Sequence, residues 1–203
     1  MSTPPDPRSD AAETGDAGPA STAAQADATA TNQPAAGPRR RGLLLLIGAG
    51  VLALDIGSKQ IVVATLSDRE PVRLLGGFLY LTEARNTGAA FSFAPGATMV
   101  FTIIALVVVA VVLRTSARIH STGWAIALGL ILGGAAGNLA DRLFRSPGPL
   151  RGAVIDFLSV LDPYGRFYPI FNLADSAICC GGVLAVLLAF RGLDLDGVRG
   201  AKR

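Results

Sequence analysis

The chain has 203 residues, 51% hydrophobic and only 16% charged, against roughly 25% charged for an average soluble domain. That composition excludes an ordinary soluble protein. The net charge of +3 hides a division: residues 1–38 carry one arginine and five acids, a net −4, which leaves +7 on the rest. One histidine and two cysteines are too few for a zinc site. A Ser-His-Asp arrangement would have to use His120, which lies in a short Arg-flanked connection at 114–123 between two apolar runs. Cys179 and Cys180 are adjacent, so on one helix they project about 100° apart, poorly placed to bridge or to share a metal. They read as small apolar filler.

Residues 1–38 contain no Leu, Ile, Val, Phe, Tyr or Trp and cannot bury enough surface to offset ordering entropy, so a disordered tail is expected. Arg39, Arg40 and Arg41 precede an apolar run at 43–66, which at ~1.5 Å per residue crosses a ~30 Å hydrocarbon layer. A secretory signal peptide would have a shorter apolar core ending at a small-residue cleavage site. Three further apolar runs follow at 97–113, 124–143 and 171–190. Four spans place both ends on one side of the membrane. The arginines before the first span, with Arg114, Arg118, Arg191, Arg199, Lys202 and Arg203, assign that side to the cytoplasm, nine basic residues against six or seven. Segments 67–96 and 144–170 then face outward, and their Gly, Pro and aromatic content predicts folded caps.

Polar residues inside apolar runs carry the functional signal, because an ionisable group at membrane depth is costly and is usually paired or functional. Asp55 and Lys59, at i and i+4, share a helix face and can neutralise each other. The third span ends in Gly133-Gly134-Ala135-Ala136-Gly137-Asn138-Leu139-Ala140-Asp141-Arg142. Its small residues permit close packing, and Asn138, Asp141 and Arg142 line one face, where amide, acid and guanidinium can form one network. The fourth span opens Phe171-Asn172-Leu173-Ala174-Asp175-Ser176, repeating Asn-Leu-Ala-Asp 34 residues later. One helix runs outward and the other inward, so the two copies lie at the same depth near the outer surface. Between them, Ala153-Val154-Ile155-Asp156-Phe157-Leu158 sets one acid in an apolar stretch, where it could also be a strand or turn residue capping the next element.

Converging carboxylates without a histidine, a cysteine ligand set or a nucleotide-type glycine loop suggest an acid pair. Two aspartates that share a proton divide the acid and base roles, one activating water and the other polarising a peptide carbonyl. The rival reading is a proton- or cation-coupled transporter, which also uses intramembrane acids. Such sites usually lie at the midplane between repeated halves, whereas Asp141 and Asp175 lie near one face and no repeated halves occur.

Five motifs in order also give the chain a family resemblance. Asp55-Ile56-Gly57-Ser58-Lys59, Arg85-Asn86-Thr87-Gly88-Ala89-Ala90-Phe91-Ser92, Gly137 to Arg142, Val154-Ile155-Asp156-Phe157 and Phe171 to Ser176 together resemble bacterial lipoprotein signal peptidase, also called signal peptidase II. The resemblance spans about residues 43–190. It implies a mainly α membrane protein of four transmembrane helices, with a small extracytoplasmic β-sheet platform between the first and second, where Phe78-Leu79-Tyr80-Leu81 is strand-like. It implies an aspartic endopeptidase that cuts a prolipoprotein signal peptide just before its lipid-modified cysteine.

By the same resemblance the catalytic pair is Asp156 and Asp175, where symmetry of the two Asn-Leu-Ala-Asp copies would pair Asp141 with Asp175. Asn86, Asn138, Arg142 and Asn172 would line the site and bind substrate backbone, with Asp55, Lys59 and Asp141 in a structural polar network. Asp141 would be held ionised by Arg142 beside it and Asn138 one turn back. The segment 144–152, with Pro147-Gly148-Pro149, is longer than the usual connection. No metal, organic cofactor or nucleic acid is implied. The expected partners are lipid-modified prolipoprotein and membrane lipid, with a monomer at work in the bacterial inner membrane, both termini cytoplasmic and the site near the outer face. The peptidase domain would cover 39–192, followed by a basic tail at 193–203.

Overall fold

A computed structural model describes residues 38–88 and 97–196. The expected disorder of the N-terminal tail, the Ala89 to Ser92 part of the outer motif, and Arg199, Lys202 and Arg203 lie outside the described residues. The elements run α1 (Arg41–Leu66), β1 (Val72–Leu74), β2 (Leu79–Asn86), α2 (Ala97–Thr115), α3 (Thr122–Phe144), β3 (Val154–Val160) and α4 (Leu173–Phe190). All four helices are long and apolar enough to cross a membrane.

The helix ends follow local chemistry more closely than hydropathy does. Ser121 caps α3 by accepting from Trp124 N–H, so the helix starts at Thr122, two residues before the apolar run. Asn172 caps α4 with a reciprocal box to Asp175, so Phe171, though apolar, stands outside the helix. These side chains satisfy N–H groups that the first turn leaves without partners.

Helix α3 is central and packs against α1, α2 and α4, with half of its apolar window buried against 11% for α2. Its glycines set the spacing. A Cβ on Gly133 would lie 2.6 Å from Gly48 O of α1, and one on Gly181 of α4 would lie 2.6 Å from Ala127 O of α3. Such close backbone approach is what small residues permit where lipid supplies no hydrophobic drive for association. Most lipid-facing side chains of α2, such as Ile103, Ile104 and Val107, remain exposed.

The sheet is antiparallel with strand order β1-β2-β3. Strands β1 and β2 come from the connection between α1 and α2 as expected, but the third strand comes from the connection between α3 and α4. Hydropathy could not assign it, because β3 is buried on both faces along most of its length and shows no apolar-polar alternation. The register sets Ala84 opposite Asp156 and Asn86 opposite Val154, which puts Asn86 and Asp156 diagonally on one face. Asp141 at the end of α3 accepts from Ile155 N–H at 3.3 Å and so fixes this strand to the helix bundle.

One expectation changes in the structure. Cys179 and Cys180 are exposed instead of filling the core, because α4 turns Ala174, Ala177, Gly181 and Leu188 inward and the cysteines lie on its other side. At the opposite end of the bundle, the first residues of the expected tail fold back. Leu195 O accepts from His120 N–H and Ser121 N–H, both at 3.0 Å, and Leu193 O accepts from the Trp124 indole at 2.8 Å.

Candidate active site

The site forms where β2, β3, the C-terminal end of α3 and the N-terminal end of α4 meet. Asn86 ends β2, and its Oδ1 accepts from Gly88 N–H at 2.9 Å. That turn explains the Asn-x-Gly spacing: Gly88 has φ +92°, where a Cβ would also press on Thr98. With its carbonyl oxygen engaged, Asn86 turns its amide to Asp156, donating to Oδ2 at 2.9 Å.

Asn172 works on the other carboxyl oxygen. Its Oδ1 accepts from Asp175 N–H at 2.9 Å while Asp175 Oδ2 accepts from Asn172 N–H at 3.2 Å, a reciprocal capping box. The cap orients the remaining Nδ2 toward Asp156 Oδ1, 2.7 Å away. Asn138 Nδ2 donates to Asp175 Oδ1 at 2.7 Å, and Asn138 Oδ1 accepts from Asn172 at 3.1 Å. A continuous run of amides thus joins Asp156, on the sheet, to Asp175, on the first turn of α4.

A cationic group anchors this run from below. Lys59 Nζ reaches Asp55 Oδ2 at 2.7 Å, Asp141 Oδ2 at 2.9 Å and Asn138 Oδ1 at 3.0 Å. The ammonium thus donates a hydrogen bond to Asn138 and forms ion pairs with both carboxylates. Because Lys59 binds the Asn138 oxygen, the Asn138 nitrogen must face Asp175. Asp55 Oδ1 accepts from Ala174 N–H at 3.0 Å, so the expected Asp55–Lys59 pair also ties α1 to α4.

The two Asn-Leu-Ala-Asp copies therefore do different work. At the start of α4 the motif is a helix cap. At the end of α3 it cannot cap an N-terminus, and Asn138 and Asp141 instead face Lys59. The expected partnership of Asp141 with Arg142 is not formed: Asp141 pairs with Lys59 and Arg145. Arg142 turns away, its guanidinium carbon 6.0 Å above the Phe101 ring, with Nη1 buried and unpartnered among the described residues. It borders a cleft between α2, α3 and α4 together with Asn138 and Asp175. Arg145 is the residue that sequence reading missed; its i+4 spacing from Asp141 was the available signal.

Burial pushes the Asp156 carboxyl up to about 7, and the charge of Asp175 adds to the effect against the hydrogen bonds from Asn86 and Asn172. Only 2% of Asp156 is exposed. His120 is remote, since α3 lies between its connection and β3, and 23 residues of helix span roughly 35 Å.

The sequence profile described as Signal peptidase (SPase) II matches residues 47–191. This chain belongs to that family. It is a multi-pass membrane protease. It is similar to the lipoprotein signal peptidase of Streptomyces coelicolor, 50% identical over 161 residues that cover 79% of this chain and 76% of that one. The lipoprotein signal peptidase of Mycobacterium tuberculosis is 44% identical over 185 residues, 91% of this chain and 89% of that one. A solved bacterial membrane enzyme, determined by the in meso method at 1.9 Å resolution, superposes with a TM-score of 0.64 at 28% identity, over 74% of this peptidase and 94% of that chain.

Proposed function

We propose that this peptidase removes the signal peptide from diacylglyceryl-modified prolipoproteins, cutting just before the lipidated cysteine, with Asp156 and Asp175 as the catalytic pair. The amide run that joins these two carboxyls, and leaves Asp141 in a separate ion cluster, carries the reading. Its support from likeness is the name lipoprotein signal peptidase on relatives that match 79% and 91% of this chain.

In this mechanism Asp156 starts protonated and Asp175 ionised. Asp175 takes a proton from water as its oxygen attacks the carbonyl carbon, and Asp156 gives its proton to the carbonyl oxygen. Asp175 then passes its proton to the leaving nitrogen while Asp156 recovers the hydroxyl proton, the C–N bond breaks, and the pair returns to its starting state. Asn86 and Asn172 hold Asp156 in place. Asn138 does the same for Asp175, and Arg142 has an unpartnered donor for a substrate carbonyl.

Purified enzyme incubated with lipid-modified and unmodified forms of one preprolipoprotein tests the reading. Cleavage on the amino side of the cysteine in the modified form alone is expected; equal cleavage of both forms would remove lipid recognition from the function. The site is placed at the outer face of the bacterial cell membrane with both termini cytoplasmic, on the distribution of basic residues. A cysteine introduced at Tyr164, beside the site, should react with an impermeant thiol reagent added outside intact cells. Reaction only after the inner side is exposed would reverse the orientation.

The mechanism sets a pH dependence. Turnover should fall as pH rises through about 7, where Asp156 loses the proton it must donate. Stability should change in the same region. The folded-state pKa lies above the ordinary 3.8, so the unfolded chain ionises first, and the cost to folding grows from about pH 4 to about pH 7 and is constant above. Asp156→Asn should therefore raise the melting midpoint relative to wild type at pH 8 more than at pH 4. An equal difference at both would mean that Asp156 is not held protonated.

A further inference from the structure

Residues between Leu158 and Phe171 form a closed loop. Phe171 N–H donates to Leu158 O at 3.0 Å and Leu158 N–H to Phe171 O at 2.8 Å. Inside the loop, Asp162 Oδ1 accepts from Tyr164 N–H at 2.9 Å and from Arg166 N–H at 3.0 Å. Gly165 has φ +72°, and a Cβ there would lie 2.9 Å from Ile170. The loop is thus built to one shape.

Its two sides differ in chemistry. One side, with Tyr164 and Ile170, walls a cleft of about 300 Å³ that also holds Arg85, Asn86 and Asp156. The other, with Phe167 and Tyr168, walls an apolar groove of about 460 Å³ that runs along α4 past Asp175 and Ser176 to Cys179 and Cys180. Asp175 and Cys179 are one helical turn apart, as are Ser176 and Cys180. A third cleft, between α2, α3 and α4, carries the Asn138 amide and the unpartnered Arg142 donor, which suit a peptide backbone.

We propose that residues 161–170 divide the substrate at its modified cysteine, directing the diacylglyceryl chains into the α4 groove and the mature chain into the cleft beside Asp156. The proposal rests on the reading of the function given above and assigns the lipid its place. At the residue after the cut, two branches leave one Cα: a polar main chain and a thioether carrying acyl chains. They need exits of different polarity within one residue's length, and the loop separates a cleft of mixed polar and apolar lining from an almost wholly apolar groove at the two acids. The α4 groove also begins at Asp175, where a chain tethered at the scissile bond has to begin, so the substrate's own lipid is its occupant.

The test uses full-length enzyme in lipid nanodiscs. Substrate with a photoreactive group at the middle of its acyl chains is bound to the Asp156→Asn enzyme and irradiated. Labelling should concentrate on Phe167, Cys179 and Cys180. Labelling on Ile104, Val108 and Ile131, or evenly over all lipid-facing helix surfaces, overturns the assignment. A photoreactive phospholipid should be displaced from the groove by substrate, and undiminished labelling would mean that ordinary membrane lipid occupies it. In active enzyme, Cys179→Trp should lower kcat/KM about tenfold for a long-chain substrate, the scale of one or two misplaced methylenes, through KM and not kcat. A substrate with two short acyl chains should be affected less. Equal losses for both overturn the groove assignment. Failure of unmodified enzyme to cut any lipid-modified substrate would instead remove the functional reading.

Discussion

Asp156→Asn and Asp175→Asn should each abolish turnover in protein that still inserts and folds. Asparagine keeps the shape of aspartate but cannot exchange a proton, and its NH2 takes the place of one acceptor oxygen. General acid-base steps contribute ~10² to 10⁴-fold, and the loss should be at least that large, since both water activation and carbonyl polarisation depend on the pair. The double replacement should be little worse than either single one, because groups that act as a unit do not add. Asp141→Asn should differ. Its carboxyl lies among Lys59, Arg145 and Ile155 N–H, so the change should lower stability and leave turnover in whatever folds. Near-normal cleavage by Asp156→Asn, with folded but dead Asp141→Asn, would transfer the chemistry to the symmetrical pair. Kinetics on detergent-purified protein, with the folded fraction measured alongside, decides between them.

Lys59→Met should be among the most damaging changes away from the acids. Lys59 and Asp55 have fully buried side chains and that of Asp141 is 7% exposed, so removing the ammonium leaves the Asp55 carboxylate buried without compensation and Asp141 with Arg145 alone. Breaking a buried pair on one side costs about 3–5 kcal/mol, a large part of a typical 5–15 kcal/mol of net stability. Little folded protein is expected. Asp55→Asn combined with Lys59→Met should recover part of the loss. It removes one uncompensated acid and keeps an acceptor for Ala174 N–H, while Asp141 retains Arg145. Melting midpoints and the yield of monodisperse protein measure both variants. A Lys59→Met protein that melts with the wild type would mean that Lys59 does not balance these acids. A double variant no better than the single would locate the damage in the lost orientation of Asn138.

Glycine placement in α3 was legible as a packing signal from the sequence, since small residues at helical spacing in an apolar run have few other uses; that of α4 was not read. The identities of their partners were not legible. Gly133 meets α1 and Gly181 of α4 meets α3, and that choice depends on which helix is central. Strand β3 was missed as a sheet member for a related reason. A strand buried on both faces has no alternation, and its pairing with β2 joins residues more than 70 positions apart. The cysteines were misplaced because hydropathy does not distinguish a lipid-facing side chain from a core one.

By itself the sequence determined the membrane class and the four spans, and it marked the polar residues that stand in or beside the apolar runs. Each of these follows from a local property: length of an apolar run, or the cost of an ionisable group inside one. Tertiary structure decided how the polar residues are partnered. The same Asn-Leu-Ala-Asp tetrapeptide is a cap at the start of α4 and a lysine ligand at the end of α3, because only a helix start has N–H groups without partners. That difference draws Asp141 toward Lys59 and Arg145, lets Asn172 reach Asp156 on β3, and leaves Arg142 with a donor at the cleft that has no partner among the described residues.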